Sequence, residues 1–381
     1  MSDLRRVIGL SAAFGAALNG TMLMPLIVLA LNRVPGIGAG AATAIAACEL
    51  AGIALYSLLA PRLVRRARRA ITSAGLAALL LGQAATQYLS GIGPLAAARL
   101  TAGLGEGALF SLITSAVAGE ADAQRIWGQI NLVGGVAMGL LLYGLSALPP
   151  RSDRGTLFLW LAALSVFVAP FVLMIRPEQR SAARRVTATR ALGGPRMGLI
   201  LLLVPLVYAV QSGQWAVSGY VGALAHMKPA RIGLFLAISS IAGFAGALVP
   251  ALTRNPARRL AFVTLGFTLM AIALLVFFNW LGDWPFLWGQ IALNMGFYAV
   301  TPFVTGLLTE NDQDGALVLR TLVLALIGAA GGTALAGALF AAFGPRTFSL
   351  LCVAVLAAAT GAACRVFRRL PHHEQPLQEM T

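Results

Sequence analysis

Two ionisable side chains, Arg99 and Glu106, stand seven residues apart in an apolar segment, residues 93–118, that has no other charge. Seven residues are almost two helical turns, so both side chains lie on one face of a helix, about 10 Å apart along its axis. Gly103 lies between them and leaves room for water or a solute. The arginine can bind an anionic group or tune the acid, and the acid can carry a proton. An ion pair that joins two helices is the alternative interpretation.

Glu49 is a second acid within an apolar segment, residues 39–60. It is the other candidate proton carrier. The alternative is a contact between helices, with a hydroxyl of a later helix as its partner.

Uncharged polar residues mark a candidate face for binding a solute. Gln290, Asn294 and Phe297 follow at i, i+4 and i+7, which is the spacing of one helix face. An earlier segment carries Gln211, Gln214 and Trp215, and the first segment carries Asn19. Amides and aromatic rings suit a partly apolar organic solute. Interhelical hydrogen bonds, and for Trp215 a place in the interfacial aromatic belt, are the alternatives.

Long apolar segments must position these residues. The chain has 381 residues, 59% of them hydrophobic and 11% charged, with a mean hydropathy of +0.83. A soluble domain carries roughly a quarter of its residues as charges, so a soluble enzyme is excluded. Twelve spans long enough for membrane helices are predicted at 7–32, 39–60, 70–90, 93–118, 125–148, 155–175, 197–222, 230–252, 260–281, 285–309, 316–342 and 347–366.

The net charge of +15 is spread over several loops, which argues against nucleic-acid binding and indicates membrane topology. With the N-terminus in the cytoplasm, most of the 28 lysines and arginines lie on the cytoplasmic side, as the positive-inside rule requires. Both termini are then cytoplasmic. The basic stretch 176–196 is predicted to be a linker between two six-helix units, residues 1–175 and 197–381.

The two units resemble one another. Pro61 and Pro250 each begin a P-x-L-x-R pattern at the end of a span, 189 residues apart. Pro94 and Pro285 each begin a later span, with Arg99 and Gln290 five residues on. These offsets indicate a parallel duplication, in which a solute site lies at the bilayer midplane between the halves.

Three motifs resemble the major facilitator superfamily. Residues 57–66 match the family's loop between helices 2 and 3 at Arg62, Arg65 and Arg66, although Pro61 replaces the family's acid. Arg99 and Gly103 match an R-x-x-x-G-x-G motif whose arginine faces the cavity and is linked to proton coupling. Gly135 and Gly139 match part of the helix 5 motif of drug:proton antiporters, which is a marker of export.

The resemblance implies an all-α membrane protein with twelve transmembrane helices in two pseudo-symmetric six-helix bundles. It further implies a secondary transporter of a small organic solute that works by alternating access and is coupled to protons. Efflux is slightly favoured over uptake of an organic anion. A non-transporting sensor or complex subunit is the alternative of another class. We expect no enzyme activity, no metal, no cofactor and no nucleic-acid partner, and a monomer in a bacterial inner membrane.

Overall fold

The computed structural model describes residues 3–63, 68–117, 123–148, 156–175, 195–253, 258–310 and 316–367. These residues form helices and short connections. Seven stretches among them are long and apolar enough to cross a membrane, and the last, Arg320–Val366, is long enough to cross twice. Many large side chains on the outside are apolar, among them Leu81, Phe167 and Leu265. An apolar outer surface of this extent indicates a multi-pass membrane protein.

The first half begins with α1, which is broken into three pieces, Asp3–Ala17, Asn19–Met22 and Met24–Asn32. The sequence predicted one continuous helix here. The breaks fall at Leu18 and Leu23, whose ψ angles of 12° and 9° are not helical. The other helices of this half are α2 Ala39–Leu63, α3 Arg68–Tyr88, α4 Ile92–Val117, α5 Ala123–Ala147 and α6 Leu157–Leu173.

The second half contains α7 Pro195–Leu224, α8, α9 Arg259–Asn279 and α10 Asp283–Glu310. The helix α8 consists of Pro229–Gly243, a 3₁₀ turn Phe244–Ala247, and Leu248–Leu252. The last segment, Ala316–Phe367, is helical except at Gly344, where φ is 75°. Phe340 and Phe348, on either side of it, have ring centroids 6.0 Å apart. The chain therefore folds back at Gly344, which separates α11 (316–343) from α12 (345–367).

The same helix pairs pack in both halves. Helices α2 and α3 contact α4 in the first half, as α8 and α9 contact α10 in the second. Likewise α1 packs on α5, and α7 packs on α11. The domain boundaries stay a prediction, and most of the expected linker, residues 176–194, lies outside the described residues.

Apolar packing joins the halves mainly at one end of the bundle. We call the end at which α1 begins the terminal end, and the other the opposite end. The larger core includes opposite-end residues of the first half, such as Ile27 and Ile45, together with most of the second half. A smaller core, with Leu10, Leu79 and Ile113, packs only within the first half, at the terminal end. The halves are therefore closed against each other at the opposite end.

Candidate functional site

A fully buried charged cluster lies where α1, α2, α3 and α4 meet. The helix α4 places Arg99 and Glu106 in it, and α2 places Glu49; all three side chains are 0% exposed. The two helices approach closely because glycines lie at their contact. A Cβ atom on Gly103 would overlap the carbonyl oxygen of Glu49, and one on Gly52 would lie 2.5 Å from the carbonyl oxygen of Leu100. Close backbone contact through small residues is typical of membrane helices.

The guanidinium of Arg99 has three partners. Its Nη2 atom forms an ion pair with Oε1 of Glu49, and its Nη1 atom donates a hydrogen bond of 2.7 Å to Oε1 of Gln83. It also lies 5.4 Å from the ring centroid of Phe158, a cation–π distance. An acid, an amide and a ring together offset the loss of hydration.

The sequence left open an ion pair between Glu106 and Arg99. In the structure Glu106 does not form this pair. Its Oε1 atom instead accepts a hydrogen bond of 3.0 Å from the backbone N–H of Gly20, in the short middle piece of α1. A Cβ atom on Gly20 would overlap the Glu49 carboxylate. Both carboxylates therefore meet at Gly20. Among the described residues, Oε2 of Glu106 has no hydrogen-bond donor.

The room expected beside Gly103 is absent, which corrects that prediction. The backbone of Glu49 fills the space, so this glycine brings α2 against α4 and leaves no gap for a solute. For Glu49, a contact with a hydroxyl of a later helix was one of two interpretations; the ion-pair partner in the structure is instead Arg99.

Gln83 belongs to this cluster, and sequence reasoning missed it. Its side chain is 0% exposed, accepts from Arg99 and donates a hydrogen bond of 3.1 Å to Oδ1 of Asn19. Asn19 in turn donates to the carbonyl oxygen of Ala16. The available signal was an amide in the apolar run LLLGQAA of α3.

The second half carries an uncharged polar cluster between α7 and α10. Nε2 of Gln211 donates a hydrogen bond of 2.8 Å to Oδ1 of Asn294, whose own amide donates to the carbonyl oxygen of Ser239. Gln214 and Gln290 are 0% exposed, and neither end of either carboxamide has a hydrogen-bond partner among the described residues. The position that holds Arg99 in the first half thus holds an uncharged amide in the second.

Trp215 links the two clusters. Its side chain is 8% exposed, and its Nε1 atom donates a hydrogen bond of 3.1 Å to the carbonyl oxygen of Thr21. It is therefore buried between the halves and does not lie in an interfacial belt. Asn19, Gly20 and Thr21 are consecutive, so one short helical piece contacts Gln83, Glu106 and the second half.

Other cross-half contacts lie towards the opposite end. The N–H of Gly337 in α11 donates a hydrogen bond of 3.1 Å to Oγ1 of Thr43 in α2. Gly135 and Gly139 of α5 face α8, where built Cβ atoms would lie 2.9 Å from Phe244 and 3.3 Å from Ile241. These two glycines thus lie at the interface between the halves. Of the arginine motif, Arg65 and Arg66 lie outside the described residues, and the Arg62 side chain is likewise outside them.

Similar solved structures share this architecture along nearly the whole chain. A nucleoside transporter, NupG, is 11% identical with a TM-score of 0.76, and the match covers 97% of this chain and 100% of that one. A bacterial homologue of the human lysosomal transporter Spinster, inward-facing and occupied, is 13% identical with a TM-score of 0.71, covering 96% of both chains. The human organic anion transporter MFSD10 is 15% identical with a TM-score of 0.63, and the match covers 95% of this chain and 100% of that one.

The chain has the major facilitator fold. This fold has twelve helices in two halves, as the sequence resemblance predicted. The solved structures that the chain resembles are those of transporters and not of enzymes. No protein family model matches the chain, and no curated protein matches it. The likeness to the drug:proton antiporters therefore rests on the helix 5 glycines alone.

Proposed function

We propose that the protein is a proton-coupled secondary transporter of a small organic solute and works by alternating access. The observation that carries this proposal is the meeting of two buried carboxylates, Glu49 and Glu106, at Gly20, where one guanidinium, that of Arg99, is paired with Glu49. With both acids ionised, the fully buried cluster has a net charge of −1. One bound proton makes it neutral and supplies the donor that a hydrogen bond between the two acids requires.

The short piece of α1 couples this proton to the arrangement of the halves. Thr21 is held by Trp215 of the second half, while its neighbour Gly20 donates to Glu106. A rotation of the halves that breaks the Trp215 bond also shifts Gly20. Glu106 then loses its backbone donor, and its affinity for the proton changes. This is the link that alternating access with a fixed site requires.

Direction and location belong to the same proposal. Gly135 and Gly139 favour efflux through their resemblance to an export motif. The distribution of basic residues favours an inner membrane with both termini in the cytoplasm. The monomeric state is the default of the resembled fold.

Uptake of an organic anion has weaker support. It needs Arg99 to be available to the solute, but Glu49 and Gln83 already occupy the guanidinium. The similar solved structures include a nucleoside transporter and an organic anion transporter, so the substrates of these two proteins do not favour one class.

Proton flux in proteoliposomes tests the proposal. Vesicles that contain a pH-sensitive dye receive uridine, benzoate or tetraphenylphosphonium on the outside. An exchanger makes the lumen more alkaline as solute enters, and a symporter makes it more acidic. We expect Glu106→Gln to abolish this proton movement while solute-for-solute exchange continues.

Asp283→Asn is the matched control. This variant also converts a carboxylate to an amide, but Asp283 lies in an exposed pair with Arg231, 2.5 Å apart, at the start of α10. Its proton flux should equal that of the wild type. Proton movement that persists in Glu106→Gln would contradict the proposal, and the absence of any solute flux would favour a sensor or complex subunit.

A further inference from the structure

The facing sides of α7 and α10 carry side chains that lie in successive layers along the two helices, and we call this set the column. The two helices are antiparallel. One side of α7 contributes four residues at steps of three or four: Val204, Tyr208, Gln211 and Gln214. The facing side of α10 contributes four more at the same spacing: Thr301, Phe297, Asn294 and Gln290. The Gln211–Asn294 hydrogen bond sets the register, and the ring centroids of Tyr208 and Phe297 are 5.1 Å apart one turn nearer the terminal end.

The inner layer of this column contains two amides that have no hydrogen-bond partner in the described part of the chain. Gln214 and Gln290 each lie one turn beyond the Gln211–Asn294 bond, on the side of the opposite end. Both are fully buried, and within the described part of the chain all four amide atoms lack a hydrogen bond. Buried polar groups in proteins are almost always paired, so an unpaired group calls for an explanation. Two such side chains at one level indicate a ligand that supplies the missing partners.

The outer layer contains a small cavity between the same two helices, with room for about one water molecule. It is lined by Val204, Val207, Tyr208, Thr301, Val304 and Thr305. Because Tyr208 also contacts Phe297, the aromatic pair separates this small cavity from the amides. A ligand that reaches the amides from this side must displace these two rings or stack against them.

The charges indicate that the ligand is neutral. None of the eight column positions named above holds an aspartate, glutamate, lysine, arginine or histidine. Arg99 is already paired with Glu49 and hydrogen-bonded to Gln83. A buried ion without a counter-charge is strongly disfavoured. An anion or a cation at the amides would have no opposite charge on the column to offset its loss of hydration.

We propose that Gln214 and Gln290 bind the edge of an uncharged, flat heterocycle that presents an N–H donor beside a C=O acceptor, as cyclic amides do. A carboxamide offers the complementary acceptor and donor, so one glutamine can form two hydrogen bonds with such an edge. The aromatic pair provides a surface for the ring. This inference rests on the proposed function, because it assigns the substrate class of the same transporter.

Binding to the detergent-purified wild type tests the substrate class without a mutation. The probes are 2-pyridone, uracil and hypoxanthine, each with the counterpart in which every ring N–H next to a carbonyl is methylated, which keeps the ring but removes the donor. We expect at least one of the parent compounds to bind and its methylated form to bind at least tenfold more weakly. Sites built to hydrogen-bond a group strongly reject analogues that lack it. Benzoate and tetraphenylphosphonium serve as charged comparisons.

Variants then test the two residues. Gln290→Leu and Gln214→Leu should each weaken binding of the parent compound at least tenfold. Gln129→Leu, a half-buried glutamine on α5 outside the column, should leave the affinity unchanged. A variant that does not fold is replaced by Gln290→Asn or Gln214→Asn, which keep the amide but shorten its reach and should also weaken binding.

Three results would overturn the inference. They are equal binding of parent and methylated compounds, no binding of any cyclic amide at millimolar concentration, or wild-type affinity in both leucine variants. Because the assay measures binding without a proton gradient, it is independent of proton coupling. If another solute drives Glu106-dependent proton flux while cyclic amides do not bind, the proposed function stands and only this inference fails.

Discussion

Glu49→Gln is the perturbation that most directly tests the charged cluster. Removing one partner of a buried ion pair lowers the free energy of unfolding by about 3–5 kcal/mol, because the other charge is left uncompensated. Arg99 would retain its hydrogen bond to Gln83 and its contact with Phe158, and the Glu106 carboxylate is close by. We therefore expect a loss near the lower limit, about 3 kcal/mol.

Arg99→Gln removes the other partner of this ion pair, and its effect on the free energy of unfolding should vary more with pH. A guanidinium stays charged, so nothing relieves Arg99 when Glu49 is removed. A carboxylate can take up a proton, so the two acids can become neutral when Arg99 is removed. The loss of stability in Arg99→Gln should therefore be smaller at pH 5 than at pH 8, whereas that in Glu49→Gln should change less.

A double-mutant cycle gives the coupling between the two side chains. The double variant replaces both charges with uncharged amides, as Gln290 does naturally in the second half. Its loss in free energy of unfolding should be smaller than the sum of the two single losses by at least about 2 kcal/mol. The assay is equilibrium unfolding of the purified protein in mixed micelles at both pH values. The exposed Arg231–Asp283 pair, with side chains 58% and 37% exposed, is the control and should show a coupling of about 0–1 kcal/mol. Additive losses for Arg99 and Glu49, within about 0.5 kcal/mol, would refute the reasoning.

Three further predictions concern the interface and the amide column. Trp215→Phe removes the donor to the Thr21 carbonyl and should destabilise the closed opposite end by about 1 kcal/mol, measured as faster labelling of cysteines introduced there; unchanged labelling would contradict it. Gly40→Cys with Ala338→Cys should form a disulfide that stops transport until it is reduced, because a built Cβ atom at position 40 lies 3.1 Å from that of Ala338; transport by the oxidised form would count against alternating access. Gln290→Leu should keep or raise the melting temperature without ligand, because it replaces an unpaired buried amide with an apolar group, and a large loss of stability would mean that the amide has a partner.

Much of the fold could be predicted because the information is local. A membrane helix shows in the sequence as an apolar run of the right length, and the twelve predicted spans correspond to the helices described here. The breaks in α1 were missed. Pro25, at the start of the third piece, was a local signal for the break at Leu23. The partners of Asn19 and Gly20, namely Gln83 and Glu106, are distant in sequence.

The candidate site was predictable only in part. Helical periodicity placed Arg99 and Glu106 on one face, and the energy of burying a charge required a partner for each. Neither argument identified those partners, because a separation of seven residues suits a bridged pair as well as two separate contacts. Gln83 was overlooked because its partners, Arg99 and Asn19, lie on other helices, although Gln87 at i+4 marks a polar face of α3.

The sequence by itself determined the membrane class, the helix spans, the duplication and the few positions where a charge must be compensated, because each follows from composition or local spacing. Only the tertiary structure decided that Arg99 pairs with Glu49, that Glu106 meets the backbone of Gly20, and that Gln214 and Gln290 have no hydrogen-bond partner among the described residues. The physical reason is that these relations depend on how closely the helices pack and how each is rotated. In the first half, Gly52 and Gly103 set that approach by bringing the backbones of α2 and α4 together.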